Sequence, residues 1–305
     1  GAEAGPGRGA EKSGRPRCEE FETPIILWNM LYDTLHTFVF SPTGTGRRTA
    51  DAIARGFGAA NRCDCDLAHC EASPVTLPRE SAALFVVPVY GGRVAPAALR
   101  RLGQLRGDRT PAVLVVLYGN RSAGRALREL EAAVCGRGFV PVAAAACVGE
   151  HSYSSHRWPI AAGRPDADDL ARAEAFGCRT ADLLARTEHP AAYDCTKLRL
   201  PRNPLLATLR FARFVLRYRR ARKRDPRPLL PVTDAARCTA CGRCVALCPA
   251  EAIAPGDELH TDPARCIRCC ACVKGCPAAA RSYDSPFAPV LSRLFRQRKP
   301  DVFSL

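Results

Sequence analysis

The sequence predicts a doubly wound α/β fold with a five-stranded parallel sheet, followed by a small cysteine-rich α+β domain. Two observations predict it: short apolar runs alternate with helical segments up to about residue 186, and a repeated cysteine motif lies near the C-terminus. Short apolar runs separated by helices are typical of a parallel sheet covered on both faces. With 305 residues, 47% of them hydrophobic, the chain is long enough for two domains and a proper core.

The predicted elements of the α/β part follow one another from residue 37. The strands are predicted at 37–40, near 65–67, and at 83–90, 112–118 and 139–149. The helices are predicted at 47–60, about 96–105, 122–135 and 166–186. Asp166 is the predicted N-cap of the last helix, with Asp169 three residues on. Because ligands of a doubly wound sheet bind at the carboxyl ends of its strands, the loops there are the candidate site.

The number of cysteines helps to predict the cellular compartment of the chain. The chain contains 17 cysteines and no apolar stretch near the 18 residues that a membrane-spanning helix needs. In a small secreted domain so many cysteines would indicate disulfides, but this chain is large and shows no secretory signal. We therefore expect a reducing, cytoplasmic location, where a group of cysteines more often holds metal.

Two cysteine motifs of identical spacing lie near the C-terminus. Residues 238–249 read CTACGRCVALCP and residues 266–277 read CIRCCACVKGCP, and the flanking sequence repeats at the same offset of 28 residues. Structural zinc, the alternative, usually uses two separated C-x2-C pairs. The run C-x2-C-x2-C-x3-C-P is the bacterial ferredoxin signature, in which the fourth cysteine ligates the other cluster.

Residues 232–283 therefore resemble a bacterial dicluster ferredoxin with two [4Fe–4S] clusters. The predicted ligands are Cys238, Cys241, Cys244 and Cys276 for the first cluster, and Cys266, Cys269, Cys272 and Cys248 for the second. Three cysteines at steps of three wrap one loop around three corners of a cube, so the fourth ligand must come from a distance. Cys270 is surplus to this pattern.

A phosphate-binding loop is predicted after the first strand, where residues 41–46 read SPTGTG. The free N–H groups and the dipole of the following helix attract phosphate, and hydroxyl side chains add donors. The loop resembles the flavodoxin phosphate loop, which implies FMN. The matching residues are Ser41, Thr43, Gly44, Thr45 and Gly46, the last replacing a threonine of that pattern. Arg47 or Arg48 is expected to add charge. A dinucleotide loop matches less well because its third glycine is absent.

The loops after the third and fourth strands read PVYGGR at 88–93 and LYGNR at 117–121. The flavodoxin resemblance implies that they hold the isoalloxazine ring, with a stacked tyrosine, glycines that admit the backbone, and an asparagine at the ring edge. The residues concerned are Tyr90, Gly91, Gly92, Tyr118, Gly119 and Asn120. Ordinary tight turns are the alternative.

A further loop, after the fifth strand, contains His151 and Tyr153. These two residues are the candidate catalytic groups, as proton donors to a reduced flavin or to a substrate. The alternative is a loop whose histidine and tyrosine are purely structural.

A basic stretch separates the two parts. Residues 196–227 carry twelve Lys or Arg residues and one acid, most of the formal net charge of +15. Arginines form one predicted helical stripe, and Leu205, Leu209, Ala212 and Leu216 form another. A linker helix with solvated charges, a polyanion-binding helix and a membrane-surface helix all fit this pattern. The charge predicts acidic redox partner proteins or an anionic membrane surface, and no specific nucleic acid is expected.

The whole layout, over about residues 36–283, resembles the prokaryotic flavodoxin–ferredoxin fusion family. The resemblance implies a flavodoxin-like five-stranded sheet, a dicluster ferredoxin domain, and FMN and two [4Fe–4S] clusters as cofactors. The predicted segments are an N-terminal extension (1–29), a flavodoxin-like FMN-binding domain (30–190), a basic linker helix (191–230), a dicluster ferredoxin domain (231–283) and a C-terminal tail (284–305). The extension is predicted to be either disordered or upstream of a true start at Met30.

The predicted function is electron transfer between the two clusters and an FMN, because clusters move single electrons and a flavin exchanges them singly or in pairs. Whether the chain is also an enzyme stays open at this point. One alternative is a flavin-dependent reductase of a small substrate that uses the clusters as an electron relay. Another is a non-redox protein that binds anions or nucleic acid and keeps the clusters as structural supports.

Overall fold

The computed structural model describes residues 32–70, 74–187 and 191–305, so the predicted extension at 1–29 and Met30 lie outside the described residues. The strands are β1 (Thr34–Val39), β2 (Asn61–Asp66), β3 (Val75–Leu77), β4 (Ala82–Tyr90), β5 (Arg93–Val94), β6 (Leu105–Gly107), β7 (Thr110–Tyr118), β8 (Phe139–Val148), β9 (Val232–Thr233), β10 (Arg281–Ser282) and β11 (Val302–Ser304). The helices are α1 (Thr45–Phe57), α2 (Pro96–Leu102), α3 (Ala126–Cys135), α4 (Ala167–Ala185), α5 (Leu205–Arg224), α6 (Arg243–Ala246), α7 (Ala271–Lys274) and α8 (Phe287–Leu294).

The central sheet has the strand order β11-β8-β7-β4-β1-β2, with β5 paired to β4. The neighbouring strands from β2 to β8 run parallel. Counted along the chain, these five strands have the order 2-1-3-4-5, which is that of a flavodoxin-like doubly wound sheet. The predicted fold class is thus confirmed. The edge strand β11 runs antiparallel to β8 and is an addition that the sequence analysis did not predict.

Both faces of the sheet are covered. Successive residues of a strand point to opposite faces, and Phe85 of β4 belongs to one core cluster while its neighbour Val86 belongs to the other. The first cluster includes Leu130 of α3, and the second includes Ile53 of α1 and Phe176 of α4. This burial on two faces explains why the central strands read as continuous apolar runs.

Helices α1 and α4 meet backbone to backbone. A Cβ atom at Gly177 would lie 2.1 Å from the carbonyl oxygen of Ile53, and one at Gly56 would lie 1.8 Å from that of Glu174. Any side chain at either glycine would push the two helices apart. Because α1 starts at the predicted phosphate loop, this close packing fixes the helix whose N-terminus faces the candidate site.

The repeat near the C-terminus is a repeat of backbone conformation as well as of sequence. Three pairs of residues 28 positions apart share a left-handed φ, namely Ala240 and Arg268 (49° and 56°), Gly242 and Cys270 (68° and 60°), and Glu251 and Ala279 (47° and 46°). The N–H groups of Ala252 and Ala280 likewise donate to the Sγ atoms of Cys248 and Cys276, at 3.2 and 3.3 Å. The two halves therefore build the same loop twice. Cys270 stands where the first half has glycine.

The apolar stripe predicted on the basic helix faces solvent and not the core. Helix α5 forms, but Leu209 and Leu216 are 57% and 56% exposed. The side that packs inward carries Ala207, together with the aromatic residues Phe211, Phe214 and Tyr218. Aromatic rings bury more apolar area than leucines, and here they meet further rings on α8. No helix of the described ranges is long and apolar enough to cross a membrane.

The segment 284–305, predicted as a tail, returns to the central sheet through α8 and β11. It is held by Arg164, which is only 4% exposed. The Arg164 guanidinium donates to Asp169 at 2.7 Å, to Asp301 at 3.0 Å and to the carbonyl oxygen of Lys299 at 2.7 Å. Asp301 also accepts the N–H of Val148, at 2.7 Å. Buried charges are tolerated when they are paired and hydrogen-bonded, and this network ties the last strand to β8.

We expect Asp301→Ala to destabilise the chain strongly. The change leaves the Val148 N–H without its acceptor and removes one of two carboxylates from a buried arginine, which costs about 3 kcal/mol. Urea unfolding followed by far-ultraviolet circular dichroism measures the loss. The matched control is Asp225→Ala, because Asp225 pairs with Arg227 on the surface. An equal loss of stability in both variants would contradict the anchoring role of Asp301.

Candidate functional site

A cavity of about 390 Å³ opens at the carboxyl ends of β1, β4, β7 and β8. This is the edge at which doubly wound sheets bind ligands. The structure brings most of the predicted flavin-site residues together around it: Ser41, Thr43, Thr45, Gly46, Tyr90, Gly91, Gly92, Tyr118, Gly119, His151 and Tyr153. Gly44 and Asn120 are not part of its lining.

The phosphate loop leaves donors free at the start of α1. Gly44 has a left-handed φ of 82° and precedes the first turn, and no side chain caps the helix. The N–H of Gly46 donates to Oγ of Ser41 at 2.8 Å and that of Gly44 to the Ser41 carbonyl at 3.0 Å. Among the described residues, the N–H groups of Thr45 and Arg47 have no acceptor. Such unsatisfied donors at a helix N-terminus form an anion site, and they fit the phosphate of FMN.

The arginines beside this loop have partners elsewhere in the fold. Arg47 lies 3.8 Å from Asp64 and 3.9 Å from Asp66, both on β2. Arg48 donates to the carbonyl oxygen of Pro165 at 2.5 Å. A phosphate would therefore rely on N–H groups, hydroxyls and the helix dipole, and the first turn of α1 carries no acid that would oppose it.

Two tyrosines flank the space for the ring. Tyr90 ends β4 and Tyr118 ends β7, and burial raises the pKa of each phenol, so both are neutral at pH 7. Gly91 and Gly92 have left-handed φ values of 62° and 85° and turn the chain sharply into β5. Backbone rather than side chain therefore borders the cavity at this turn, as a closely approaching flat ring requires.

The Asn120 side chain contacts the C-terminal segment and does not line the cavity. Its side chain is buried, and Nδ2 donates to the carbonyl oxygens of Phe295 and Gln297 at 2.6 and 2.8 Å. The residue adopts a left-handed φ of 61°, which asparagine tolerates. Asn120 thus holds the segment after α8 through Nδ2, while its buried Oδ1 has no partner among the described residues, and its role at the ring edge stays a prediction.

His151 and Tyr153 lie together at the cavity, with ring centres 4.8 Å apart. Burial, with Lys274 and Arg121 nearby, lowers the pKa of His151 to about 4. Its Nδ1 accepts the N–H of Tyr153 at 3.0 Å, so at pH 7 the neutral ring carries its proton on Nε2. Burial raises the pKa of Tyr153. Both groups can donate hydrogen bonds, and their role in proton transfer stays a prediction.

The far wall of the cavity comes from residues that the sequence analysis did not assign to the site. They are Phe211 and Tyr218 of α5, Phe287 and Leu291 of α8, Tyr283 after β10, and residues 267–269 of the second cysteine motif. The rings of Tyr218 and Phe287 are 4.9 Å apart, and those of Tyr153 and Tyr283 are 5.2 Å apart. The sequence does contain a pattern that indicates the buried side of α5, since residues 211, 214 and 218 are aromatic at steps of three and four.

The eight predicted cluster ligands surround two separate cavities, four cysteines at each. Cys238, Cys241, Cys244 and Cys276 line one, and Cys248, Cys266, Cys269 and Cys272 line the other. Each set combines three cysteines of one motif with the last of the other motif, as the exchanged pattern requires. Cys270 also borders the second cavity, and its thiol lies 3.7 Å from the carbonyl oxygen of Arg268.

The described residues offer no mononuclear metal site. Nowhere among them do three or more His, Cys, Asp or Glu side chains stand where they could hold a single ion. Four thiolates around zinc would lie within about 4 Å of one another, given Zn–S bonds of about 2.3 Å. No group of thiols among the described residues has that arrangement.

The cavity lined by Cys248, Cys266, Cys269 and Cys272 is the second cluster cavity, and the cavity at the strand ends is the flavin cavity. The two cavities adjoin. Ile267, Arg268 and Cys269 line both of them, whereas no cysteine of the first set borders the flavin cavity. Two polar contacts hold the parts together here: Lys274 pairs with Glu150 at 2.5 Å, and Arg101 donates to the carbonyl oxygen of Pro249 at 2.7 Å.

Comparison with known proteins identifies the cysteine-rich part. Residues 230–277 match the model of the 4Fe-4S dicluster domain family. This part of the chain is therefore a dicluster domain, with two [4Fe–4S] clusters as its cofactors. None of the curated proteins matches the sequence.

Several solved structures are similar to about half of the chain. The flavodiiron core of Flv1 from Synechocystis sp. PCC6803 is 16% identical over 52% of this chain and 37% of its own, with a TM-score of 0.38. A flavodoxin from the domain Archaea is 12% identical over 50% of this chain and 99% of its own, with a TM-score of 0.32. The flavodiiron protein of Giardia intestinalis is 14% identical over 52% and 38%, with a TM-score of 0.33.

The similarity thus spans little more than a third of the flavodiiron proteins and nearly the whole of the flavodoxin. At such TM-scores it adds nothing to the strand order, on which the fold assignment rests. The chain joins a flavodoxin-like α/β part, with a site that fits FMN, to a 4Fe-4S dicluster domain. Its components are those of an iron–sulfur and flavin electron-transfer protein.

The phosphate loop predicts that flavin-stripped protein binds FMN more tightly than riboflavin, which lacks the phosphate. A hydrogen bond to a charged group contributes about 1.5–3 kcal/mol, so Thr43→Ala should weaken FMN binding roughly tenfold to a hundredfold and leave riboflavin nearly unchanged. Fluorescence titration measures both affinities. Thr76→Ala on β3, away from the cavity, is the control. Equal affinity for the two flavins would remove the phosphate role.

Placing the threonine of the flavodoxin pattern at position 46 should not strengthen FMN binding. A Cβ atom at Gly46 would lie 3.0 Å from Oγ and 3.2 Å from Cβ of Ser41, the residue that accepts the Gly46 N–H. We expect Gly46→Thr to weaken FMN binding in the same titration, because Ser41 must shift. Tighter binding by this variant would show that the absent hydroxyl, and not the space, limits affinity.

Proposed function

We propose that the chain carries electrons between an external partner and an FMN, in the order first cluster, second cluster, flavin. The observation that supports this order is the shared wall at residues 267–269, where the loop of the second cysteine motif borders the flavin cavity. FMN, when bound, would exchange electrons singly with the clusters and in pairs with another partner. The protein's own residues hold the second cluster site against the flavin site.

The first cluster site is the proposed point of exchange with a partner. Cys241 is exposed, whereas Cys269 and Cys272 of the second set are 7% and 8% exposed. Cys248 and Cys266 are partly exposed, but only the first set has a fully exposed ligand, so a redox protein at the surface comes closest to the first set. The positive formal charge of the chain favours an acidic partner, since complementary charge speeds encounter.

Three tyrosines stand at the wall between the flavin cavity and the second cluster site. Tyr90 reaches towards the second motif, and burial, with Cys269 beside it, raises its pKa well above the ordinary value. Tyr153 and Tyr283 lie next to it and are also kept neutral by burial. Neutral phenols that are partly withdrawn from water reduce the rearrangement of solvent that accompanies a change of charge nearby.

A flavin-dependent reductase of a small molecule is a weaker proposal. It needs space for a substrate against the ring, and the aromatic side chains of α5 and α8 close that side of the cavity. The non-redox alternative, with clusters as supports only, gives no reason for the second cysteine motif to border the flavin cavity. Electron transfer accounts for the arrangement of both sites.

Iron analysis tests the cluster assignment. Anaerobically purified protein should contain about eight iron and eight sulfide per chain. Cys248→Ala should lose the second cluster, because this cysteine lines the cavity of the second motif. The matched control is Cys270→Gly, which removes a neighbouring buried thiol and restores the residue of the first half at a left-handed position. Four iron in the control, or zinc in place of iron, would contradict the assignment.

Charge reversal at the contact between the two parts tests the electron path. Lys274→Glu should set two carboxylates against each other at Glu150 and slow reduction of the flavin by a low-potential donor, followed by stopped-flow absorbance. Arg265→Glu is the control, because Arg265 pairs with Glu251 inside the dicluster domain. Iron content should be unchanged in both. Equal rates in the two variants would argue against transfer across this contact.

A further inference from the structure

The outward face of α5 carries an unusual concentration of exposed leucine. Leu205, Leu206, Leu209 and Leu216 are 75%, 58%, 57% and 56% exposed. Among the described residues eight large hydrophobic side chains are 41% or more exposed, and these four of them share one helix. Single exposed apolar residues are normal on a protein surface, but a group of this kind usually marks an interaction site.

The same helix is strongly basic. It contains seven arginines and one lysine and no acid. At 100° per residue, Leu205, Leu209 and Leu216 fall on one narrow strip, with Arg213 and Arg220 along one edge and Arg219 along the other. These three arginines are exposed, and no basic residue of α5 forms an ion pair with any described residue. The face is therefore apolar at its centre and positive at both edges.

The inner side of α5 is already used. Phe211 and Tyr218 close the flavin cavity, and Phe214 packs against Phe287 of α8 with ring centres 5.2 Å apart. The helix thus does not need the leucines for its place in the fold. Their exposure brings no packing among the described residues, so a ligand of this face would account for them.

We propose that α5 lies on an anionic lipid surface, with its leucines in the headgroup region and its arginines on lipid phosphates. Helices with leucine on one face and Lys or Arg around it bind in this way. Arginine pairs with phosphate through two parallel hydrogen bonds, and its long stem lets the charge reach upward while the leucines enter the lipid. The charge of the helix selects an anionic surface over a neutral one.

An acidic protein is the other class of partner, and the composition of the face favours lipid. Protein interfaces concentrate their binding energy in Trp, Tyr and Arg anchored in pockets, whereas leucine contributes less often. The outward face of α5 has no aromatic residue, and its leucines stand on the ridge of a helix. A fluid surface accepts such protruding side chains without a matching pocket.

Lipid binding would place the electron-transfer site near the membrane. An α-helix with its side chains is about 10–12 Å across, and the inner side of α5 borders the flavin cavity. The cavity would then lie within one helix diameter of the headgroups. This consequence rests on the proposed function, whereas the lipid-binding surface itself does not.

Vesicle sedimentation of the cluster-loaded full chain tests the proposal. The probes are vesicles of phosphatidylcholine alone and of phosphatidylcholine with about one third phosphatidylglycerol, at low and high salt. We expect binding to the anionic vesicles only, weaker at high salt. The leucine variant is Leu209→Ser with Leu216→Ser, and the arginine variant is Arg213→Glu with Arg220→Glu. Each should bind at least roughly tenfold more weakly.

Matched controls are Leu259→Ser and Arg100→Glu, since both residues are exposed and lie outside α5. They should bind like the unchanged chain. Iron and flavin content, measured on every variant, shows whether the fold and the proposed electron-transfer sites are intact. Absence of binding by the unchanged chain would overturn the proposal. Binding that depends on the arginines but not on the leucines would also overturn it, because the leucines would then not enter the headgroup region.

Discussion

The arrangement of both sites depends on one buried guanidinium. Arg164 holds Asp169 at the start of α4 and Asp301 before the last strand, and Asp301 in turn binds the backbone of Val148. The chain between α4 and β11, which includes α5 and the whole dicluster domain, is therefore fastened to the same sheet at both ends. A linker attached at one end would leave the clusters free to swing, since contacts between domains within a chain are often modest. Fastening at two ends turns the dicluster domain into an inserted part of the flavodoxin-like structure.

That fastening explains the unexpected role of α8 and of the residues that follow it. Two side chains hold the returning segment close to the end of β7. Asn120 donates to the carbonyl oxygen of Phe295, and Lys299 donates to that of Arg121. The aromatic wall of α5 and α8 is then pressed over the cavity, where it covers the predicted position of the ring. Ordered contacts of this kind keep the second cluster site and the flavin site at one fixed separation, which a chain of freely hinged domains does not provide.

The sequence predicted the parts that depend on local pattern. Apolar runs placed the parallel strands, the capping pair Asp166 and Asp169 placed the start of α4, and the cysteine spacing predicted which four cysteines share a cavity. It did not predict features that depend on contacts between distant segments. Residues 302–304 are too short to read as a strand and become one only because the edge of β8 is open to them. Asn120 follows a strand as a flavin contact would, but its partners lie about 175 residues away. On α5, the leucine strip and the aromatic strip have the same period, so only the position of α8 decides which one is buried.

The matched left-handed positions of the two cysteine motifs have a consequence for how the dicluster domain is used. Two copies of one loop form a nearly symmetric unit. In a symmetric unit the two cluster sites have equivalent surroundings. Docking breaks that equivalence, because only the second copy touches the flavin cavity. Cys270, where the first copy has Gly242, marks the difference in sequence. The two copies therefore have different surroundings although their backbones are alike. The second copy lies against the flavin cavity, and the first copy lies at the surface.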